Sequence, residues 1–370
     1  MAYKPTSDKI LFIVTALLTI FGLVMVHSAS SMVASFRYGM SSYYLLRQLA
    51  FAALGFTLMI TLMNVDYHTW QRKRPLKWIL VVCAIMLVLV FLQPPINGSH
   101  RWIRYGPLSF QPSEFAKLAL LMFLATYLNR HDSEINMLRM RLLPCMCLVG
   151  IYAALIAREE DLGQAACVIA ITALMLFIAG LSWLYVAGTV ALGAAAFYFF
   201  VVCVPWRWER ILVFLRPFHD PLGAGWQVSQ SLTAVGSGGI LGLGLGASRQ
   251  KLFFLPTAHS DSIYAVISEE LGLVGAAAVL LLFAIFFHRG LKIASRAPDR
   301  FGFYLGLGIT MLVVLQALVN ISMVLALLPT KGIALPFISQ GGSSLLLNLV
   351  ATGILLNISQ YGEKTLAHDD

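Results

Sequence analysis

Residues 257–287, TAHSDSIYAVISEELGLVGAAAVLLLFAIFF, open polar and end as an unbroken apolar run, with Asp261, Glu269 and Glu270 at its mouth. The apolar part is long enough to serve as a membrane helix, which needs roughly 20 such residues to cross the hydrocarbon core. A carboxylate carried toward hydrocarbon is costly, so three acids at that point call for cations, water or a function.

The rest of the chain reads the same way. It is 59% hydrophobic and 12% charged, with a mean hydropathy of +0.81, roughly half the charged fraction of an ordinary soluble domain. About ten apolar stretches fit as spans, near 10–29, 43–64, 77–93, 114–128, 142–158, 164–181, 184–204, 263–287, 301–327 and 343–361. The fold class expected is therefore an all-α polytopic membrane protein. Residues 1–370 form a single membrane domain, and 205–262 form a large extracytoplasmic loop between the seventh and eighth spans. The first run, 10–26, follows Lys4 and Lys9 and precedes the small residues SASS, as a secretory signal would. It exceeds the roughly 7–15 residues of a typical signal core, so we read it as an uncleaved first span.

The five cysteines, Cys83, Cys145, Cys147, Cys167 and Cys203, lie in or beside apolar runs. An odd number in that setting suggests small buried hydrophobes, not disulfides. Cys145-Met146-Cys147 hints at a metal, but no neighbouring His or acid completes a site. HExxH, a lysine at P-loop spacing and a Rossmann strand–turn–helix context are all missing from the sequence. No nucleic-acid partner is expected.

Orientation follows from the cations. With the N-terminus inside, QRKRPLK (71–77), NRHDSEINMLRMR (129–141) and HRGLKIASRAPDR (288–300) mark the cytoplasmic face, and an even span count returns the C-terminus there. Arg101, Arg104, Arg158, Arg207, Arg210, Arg216, Arg249, Lys251 and Lys331 then remain outside, with Arg47 and Lys117 inside spans. Taken singly, each reads as a snorkelling interfacial anchor. As a group they fit an anionic ligand held at the outer face.

The outer segments also hold the unusual local sequences. In FQPSEFAK, Pro112 presets a helix start and Glu114 and Lys117 share a helical face. The pair reads as a self-neutralising ion pair, or as Lys117 facing a cavity with Glu114 fixing it. The stretch 220–246, DPLGAGWQVSQSLTAVGSGGILGLGLG, could cradle phosphate through backbone N–H groups or pack as a re-entrant loop. LPTKGIALPFISQGGSS (328–344) implies a shaped loop around Lys331, and REEDLGQA (158–165) reads by default as solvated loop charge. Outer carboxylates supply a general base and outer cations suit a pyrophosphate leaving group. From the residues alone, the conclusion is that something anionic is handled outside.

At these motifs the sequence resembles the SEDS family (shape, elongation, division and sporulation proteins), which includes FtsW, RodA and SpoVE. The resemblance runs nearly the whole chain, through VHSASS, HRWIRYGPLSFQPSEFAK, DLGQA, the 220–246 stretch, LPTAHSDSIYAVISEELGLVG and QALVNISMVLALLPTKGIALPFISQGGSS. It implies ten spans in the bacterial cytoplasmic (inner) membrane with both termini cytoplasmic. The implied activity is peptidoglycan glycosyltransfer: polymerisation of lipid II on the outer face with release of undecaprenyl pyrophosphate. The implied partners are a class B penicillin-binding protein and other division proteins.

The catalytic carboxylate of the family falls on Asp261, which could also hold a divalent cation (Mg or Mn). Arg47, Arg101, Glu114, Lys117, Arg207, Arg210 and Lys331 are then candidates for binding the lipid-linked substrate. His259, Ser260, Glu269 and Glu270 would support the site. LPTKG and FGLVMVHSAS look more like the family's division members than its elongation members. Glu160 stands where proline is common, Gln340 where tyrosine is, and Ser262 where an aromatic is frequent. The alternatives are an elongation polymerase of the RodA kind and a lipid-linked sugar flippase. A transporter would place polar residues near the midplane, often in related repeats, whereas here they gather at one face.

Overall fold

The computed structural model describes residues 7–94, 99–105, 108–131, 134–215, 223 and 225–366. Twelve α-helices run through the described residues: α1 (Lys9–Tyr38), α2 (Tyr43–Met63), α3 (Lys73–Leu89), α4 (Pro112–His131), α5 (Leu143–Arg158), α6 (Leu162–Ile178), α7 (Trp183–Phe197), α8 (Pro205–Leu215), α9 (Trp226–Ser237), α10 (Ile263–Ser295), α11 (Arg300–Val324) and α12 (Gly342–Leu366). All ten stretches read as spans are helical. Eight helices are long and apolar enough to cross a membrane by length and composition, and the chain is a multi-pass membrane protein. The shorter α6 and α4, whose apolar run is broken by Glu114 and Lys117, stand outside that eight.

Hydrophobicity does not separate inside from outside here, because the outside is lipid. On α1, Ile10, Ile13, Leu17, Ile20 and Val24 are exposed, while Thr15, Thr19, Ala29 and Ser30 are buried. Small and weakly polar residues mark the packed face, as expected where lipid tails are as apolar as leucine. The Thr15 and Thr19 hydroxyls donate to carbonyls one turn back, so neither is left unsatisfied. Gly22 lets the 328–344 loop close on α1, since a Cβ there would lie 2.6 Å from Ile338 Cα. The centre of the bundle is α4, α11 and α12, and the periphery includes α3 and α7.

Helix α10 breaks at Gly272 (φ 64°, ψ −163°). A break inside a membrane helix strands backbone groups that lipid cannot satisfy. The glycine-rich loop satisfies them. The Leu243 and Gly244 N–H groups donate to the Glu269 and Glu270 carbonyls, and those of Leu273 and Val274 donate to the Gly239 and Ile240 carbonyls. A Cβ on Gly242 would lie 2.2 Å from the Glu270 carbonyl oxygen. The loop is thus a packed re-entrant element, and these two N–H groups are committed to α10 instead of cradling phosphate.

Within residues 205–262, α8 and α9 form. A short hairpin, β1 (Ile103–Tyr105) with β2 (Leu108–Phe110), pairs Arg104 with Ser109 in an otherwise helical fold. All five cysteines are free, but Cys147 and Cys203 are exposed, not buried.

Both ends of the described chain meet at one end of the bundle. The Asp8 N–H donates to Ser359 Oγ at 3.0 Å, and its carboxylate pairs with Arg289 at the far end of α10. The other end of α1, at Arg37 and Tyr38, lines a large cavity. The cavity therefore lies away from both ends of the described chain.

Candidate active site

That cavity has a volume of about 980 Å³ and is walled by the hairpin, the segment before α6, the segment before α10 and the 328–344 loop. Asp261, Ser260, His259, Arg47, Arg101, Glu114 and Lys331 all line it. Residues from five separate stretches of sequence thus meet at one polar chamber, while most of the surrounding surface is apolar.

Asp261 is held there by its backbone. Asn320 donates from Nδ2 to the Asp261 carbonyl at 2.8 Å and to the Ile333 carbonyl at 2.7 Å, tying the two loops together. Ser339 Oγ donates to the Ser260 carbonyl at 2.6 Å, and the Gln340 N–H to the His259 carbonyl at 3.0 Å. The Gln48 amide donates to the Ser339 carbonyl, and its oxygen accepts from the Gly341 N–H. The Asp261 side chain does not cap α10. The N-cap is Ser262, with no side-chain cap bond. Burial, then the charge of Asp161, push the Asp261 carboxyl up to about 6, against the pull of Arg101 and Ser260.

The REED segment is only half solvated: Arg158 and Glu160 are exposed, whereas Glu159 and Asp161 are buried. Arg101 crosses to them, with Nη1 3.6 Å from Asp161 Oδ2 and Nη2 donating to the Glu160 carbonyl at 2.7 Å. Asp161 also caps α6, accepting from the Gln164 N–H. Burial is the first cause raising its carboxyl above the usual range.

The Glu114–Lys117 pair has the reverse orientation to the functional expectation. Glu114 lines the cavity, whereas Lys117 is buried behind it. Lys117 Nζ donates to Glu114 Oε1 at 3.0 Å and to Gln164 Oε1 at 2.6 Å, and Gln164 returns a bond to Glu114. Lys117 therefore fixes a carboxylate and does not itself line the chamber.

Glu269 and Glu270 lie away from the cavity. Glu269 accepts from the Ser248 hydroxyl and the Arg249 N–H, and Glu270 pairs with Lys251 Nζ at 2.7 Å and accepts from Ser28. They clamp the re-entrant loop and α1 to α10. Arg207 and Arg210 lie on α8, but their side chains fall outside the described residues, as does Arg216. Sequence reasoning missed Arg37, Gln111 and Gln227, which also line the chamber. It also missed Asn320 and Gln316, whose signal was present: two amides four residues apart in an otherwise apolar span.

A divalent cation would find one carboxylate at Asp261. Magnesium often takes one or two carboxylates and completes its shell with substrate phosphates and water. Among the described residues no group of three or more His, Cys, Asp or Glu side chains surrounds such a point. Asp261 is the residue that would hold such a cation from the protein side.

Residues 8–364 match the family model described as "Cell cycle protein", FTSW_RODA_SPOVE. Stage V sporulation protein E of Bacillus subtilis is 42% identical over 366 residues, covering 98% of this chain and 99% of that one. A probable peptidoglycan glycosyltransferase FtsW of Geobacter metallireducens is 43% identical over 356 residues, covering 95% and 94%. Among solved structures, a chain described under "Structural coordination of polymerization and crosslinking by a peptidoglycan synthase complex" superposes with a TM-score of 0.78, at 27% identity, covering 95% of this chain and 97% of that one. The rod shape determining protein RodA of Thermus thermophilus gives 0.68 at 25% identity, covering 95% and 96%.

Proposed function

The chain belongs to the cell cycle protein family of FtsW, RodA and SpoVE, and on that premise we propose that it is a peptidoglycan glycosyltransferase. It polymerises lipid II at the outer face of the bacterial inner membrane during cell division. The observation that carries the reading is Asp261 on the wall of a polar chamber that also presents Arg37, Arg47, Arg101, Arg104 and Lys331.

The acceptor sugar's hydroxyl attacks the donor's anomeric carbon. The bond from that carbon to the pyrophosphate oxygen breaks, and undecaprenyl pyrophosphate leaves. Asp261 takes the hydroxyl proton as general base. The cations face the oxygens on which charge develops, and they need little reorganisation because the chamber already holds them. Glu114, fixed by Lys117 and Gln164, lines the same chamber and bounds the sugar site. A divalent cation bound at Asp261 would supply further charge on the pyrophosphate.

The break in α10 is the feature a flippase reading would claim. Its freed backbone groups are taken up by the re-entrant loop instead of lining the chamber, which favours the enzyme. Sporulation is a second setting for the same chemistry, favoured by the 42% identity to the sporulation protein. The synthase-complex neighbour supports a class B penicillin-binding protein as partner, and the small residues of GLVGAAAV on α10 would allow close helix approach. Polymerisation of labelled lipid II by the purified protein, with and without that partner, tests the reading. Glycan strands that lengthen when the partner is added support it. Translocation of lipid II without polymerisation would replace it with the transporter.

A further inference from the structure

A pocket of about 550 Å³ lies on the flank of the bundle, between the second half of α1 and the stretch from Leu245 to Leu252 that ends the re-entrant loop. Among the described residues it shares no lining residue with the polar chamber. Val24, His27, Ser28 and Ser31 line it from α1, at spacings that put them on one face of the helix. Val24, Met32, Leu245 and Leu252 are exposed, so the pocket opens to the bilayer around the protein.

Three polar groups on its wall have no full use within the fold. His27 Nδ1 is buried without a hydrogen-bond partner among the described residues. The Ser31 hydroxyl has a long bond, 3.4 Å, to the Ser28 carbonyl. Arg249 is exposed and joins no ion pair among the described residues, while its N–H donates to Glu269 Oε1 at 2.9 Å and fixes its backbone. Lys251, by contrast, is buried and committed to Glu270 and Ser28. Glu269 and Glu270 are satisfied by Ser248, backbone N–H groups, Lys251 and Ser28, so Arg249 is the cation left facing outward. A guanidinium beside lipid is costly unless an anion or water meets it.

We propose that this pocket is a phospholipid site, in which Arg249, His27 Nδ1–H and the Ser31 hydroxyl hold the phosphodiester of an outer-leaflet glycerophospholipid. The depth fits. At the 1.5 Å rise of a helix, Ser28 lies about 28 Å along α1 from Lys9, close to the roughly 30 Å of a hydrocarbon core. The polar groups therefore stand at headgroup level. The acyl chains then run back along the exposed face of α1 over Val24, Ile20 and Leu17. One guanidinium with two neutral donors suits the single charge of a phosphodiester, whereas the chamber gathers several cations. This inference does not depend on the glycosyltransferase reading, and its readout is binding.

The test titrates the full-length protein in detergent with dioleoyl-phosphatidylglycerol, with dioleoylglycerol, which lacks the phosphate, and with inorganic phosphate, which lacks the chains. Native mass spectrometry and Tm are read in each arm. Phosphatidylglycerol alone is expected to bind and to raise Tm, as a ligand of the folded state does. Arg249→Gln keeps the backbone N–H that bonds Glu269 and should weaken binding about tenfold or more, the loss of a hydrogen bond to a charged group. Arg249→Lys should recover part of it, and Ser31→Leu, which fills the pocket from α1, should weaken it independently. Equal binding of dioleoylglycerol, or unchanged binding in both Arg249→Gln and Ser31→Leu, overturns the proposal. So does displacement of phosphatidylglycerol by undecaprenyl pyrophosphate, which would give the pocket to the substrate.

A crosslinking arm locates the lipid. Met32→p-benzoylphenylalanine, at the pocket, is expected to give a phospholipid adduct after transfer from nanodiscs into detergent, and Ile13→p-benzoylphenylalanine, exposed on α1 outside the pocket, is not. Equal adducts at both positions would mean bulk lipid only. An adduct of Met32→p-benzoylphenylalanine with an added class B penicillin-binding protein in place of lipid would make the pocket a protein interface. Either result overturns the proposal.

Discussion

Arg101 holds Asp161 across the floor of the chamber, its Nη1 3.6 Å from the Asp161 carboxylate. A Cβ built on Gly332 would lie 3.6 Å from the same Nη1 and 3.1 Å from Asp261 Oδ2. Arg101, which contacts the buried Asp161, and the carboxylate assigned as base thus both lie beside Gly332. Asp161 raises Asp261 and Arg101 lowers it, leaving it at about 6 with burial as the largest cause. A base works only when ionised, so the polymerisation rate should fall as pH drops through about 6. Asp161→Asn removes a raising charge and should move that limb to lower pH. Arg101→Gln removes the lowering charge and should move it higher. The midpoint of the pH–rate profile is the measurement, and a midpoint unmoved in both variants would rule out this coupling.

Glu159 behaves differently, because both of its carboxyl oxygens are buried without a hydrogen-bond partner among the described residues. Burial, then Asp161, push it up to about 9 from an ordinary 4.5, against Arg101. The folded protein then holds a proton that the unfolded chain releases. Stability is fullest below the unfolded value and is lost as pH rises toward the folded one. Thermal unfolding in detergent should show wild-type Tm falling between about pH 5 and pH 9, and Glu159→Gln should flatten the fall. Parallel profiles for the two proteins would mean that Glu159 is ionised in the fold.

The Lys251–Glu270 pair stabilises the re-entrant loop from a buried position, with Nζ also 3.0 Å from Ser28 Oγ. Lys251→Met leaves the carboxylate buried without its cation, a change that costs about 3–5 kcal/mol. Adding Glu270→Gln removes the stranded charge and should recover much of the loss. A double-mutant cycle on Tm measures the coupling. Additive single effects would show that the pair contributes nothing jointly.

The ten helices were legible because their apolar runs are long and cations mark one set of loops. The interior was not, because lipid-facing residues are as apolar as packed ones. Burial of Glu159 and Asp161 depends on Arg101 reaching them from a segment 58 to 60 residues earlier in sequence, which no local pattern encodes. Spacing placed Glu114 and Lys117 on one face but could not say which would meet the chamber. That was settled by Gln164, on another helix. The glycines of 238–246 were readable as a backbone in close contact with something. That the contact is a broken helix becomes clear only once the φ of Gly272 is known.

Glu160 takes a left-handed backbone (φ 66°) while its carbonyl accepts from Arg101. Glycine adopts that conformation without the roughly 1–2 kcal/mol penalty of an L side chain. Glu160→Gly should therefore preserve or raise Tm with activity intact. Glu160→Pro, the residue common in the resembling family, fixes φ near −65° and deletes the N–H that bonds the Ala157 carbonyl. It should lower Tm and weaken the hold on Arg101. A proline variant as stable as wild type would show that this backbone is not required.

Asp261 is the decisive position. A helix-cap role would survive Asp261→Asn, because asparagine caps about as well as aspartate. The observed N-cap is Ser262, without a side-chain cap bond, and the Asp261 side chain lines the chamber. Its carbonyl bond to Asn320 belongs to the backbone and is kept in the variant. Membrane insertion, Tm and partner binding should therefore match wild type. Asparagine cannot take the acceptor's proton, so polymerisation should fall by roughly 10²–10⁴-fold, the usual contribution of a general base. The measurement is glycan-strand formation from labelled lipid II, with lipid II binding followed separately. Near-normal binding with lost polymerisation places Asp261 in the chemical step. Polymerisation near the wild-type rate would remove it from that step and turn the search for the base to Glu114, a further carboxylate that lines the chamber.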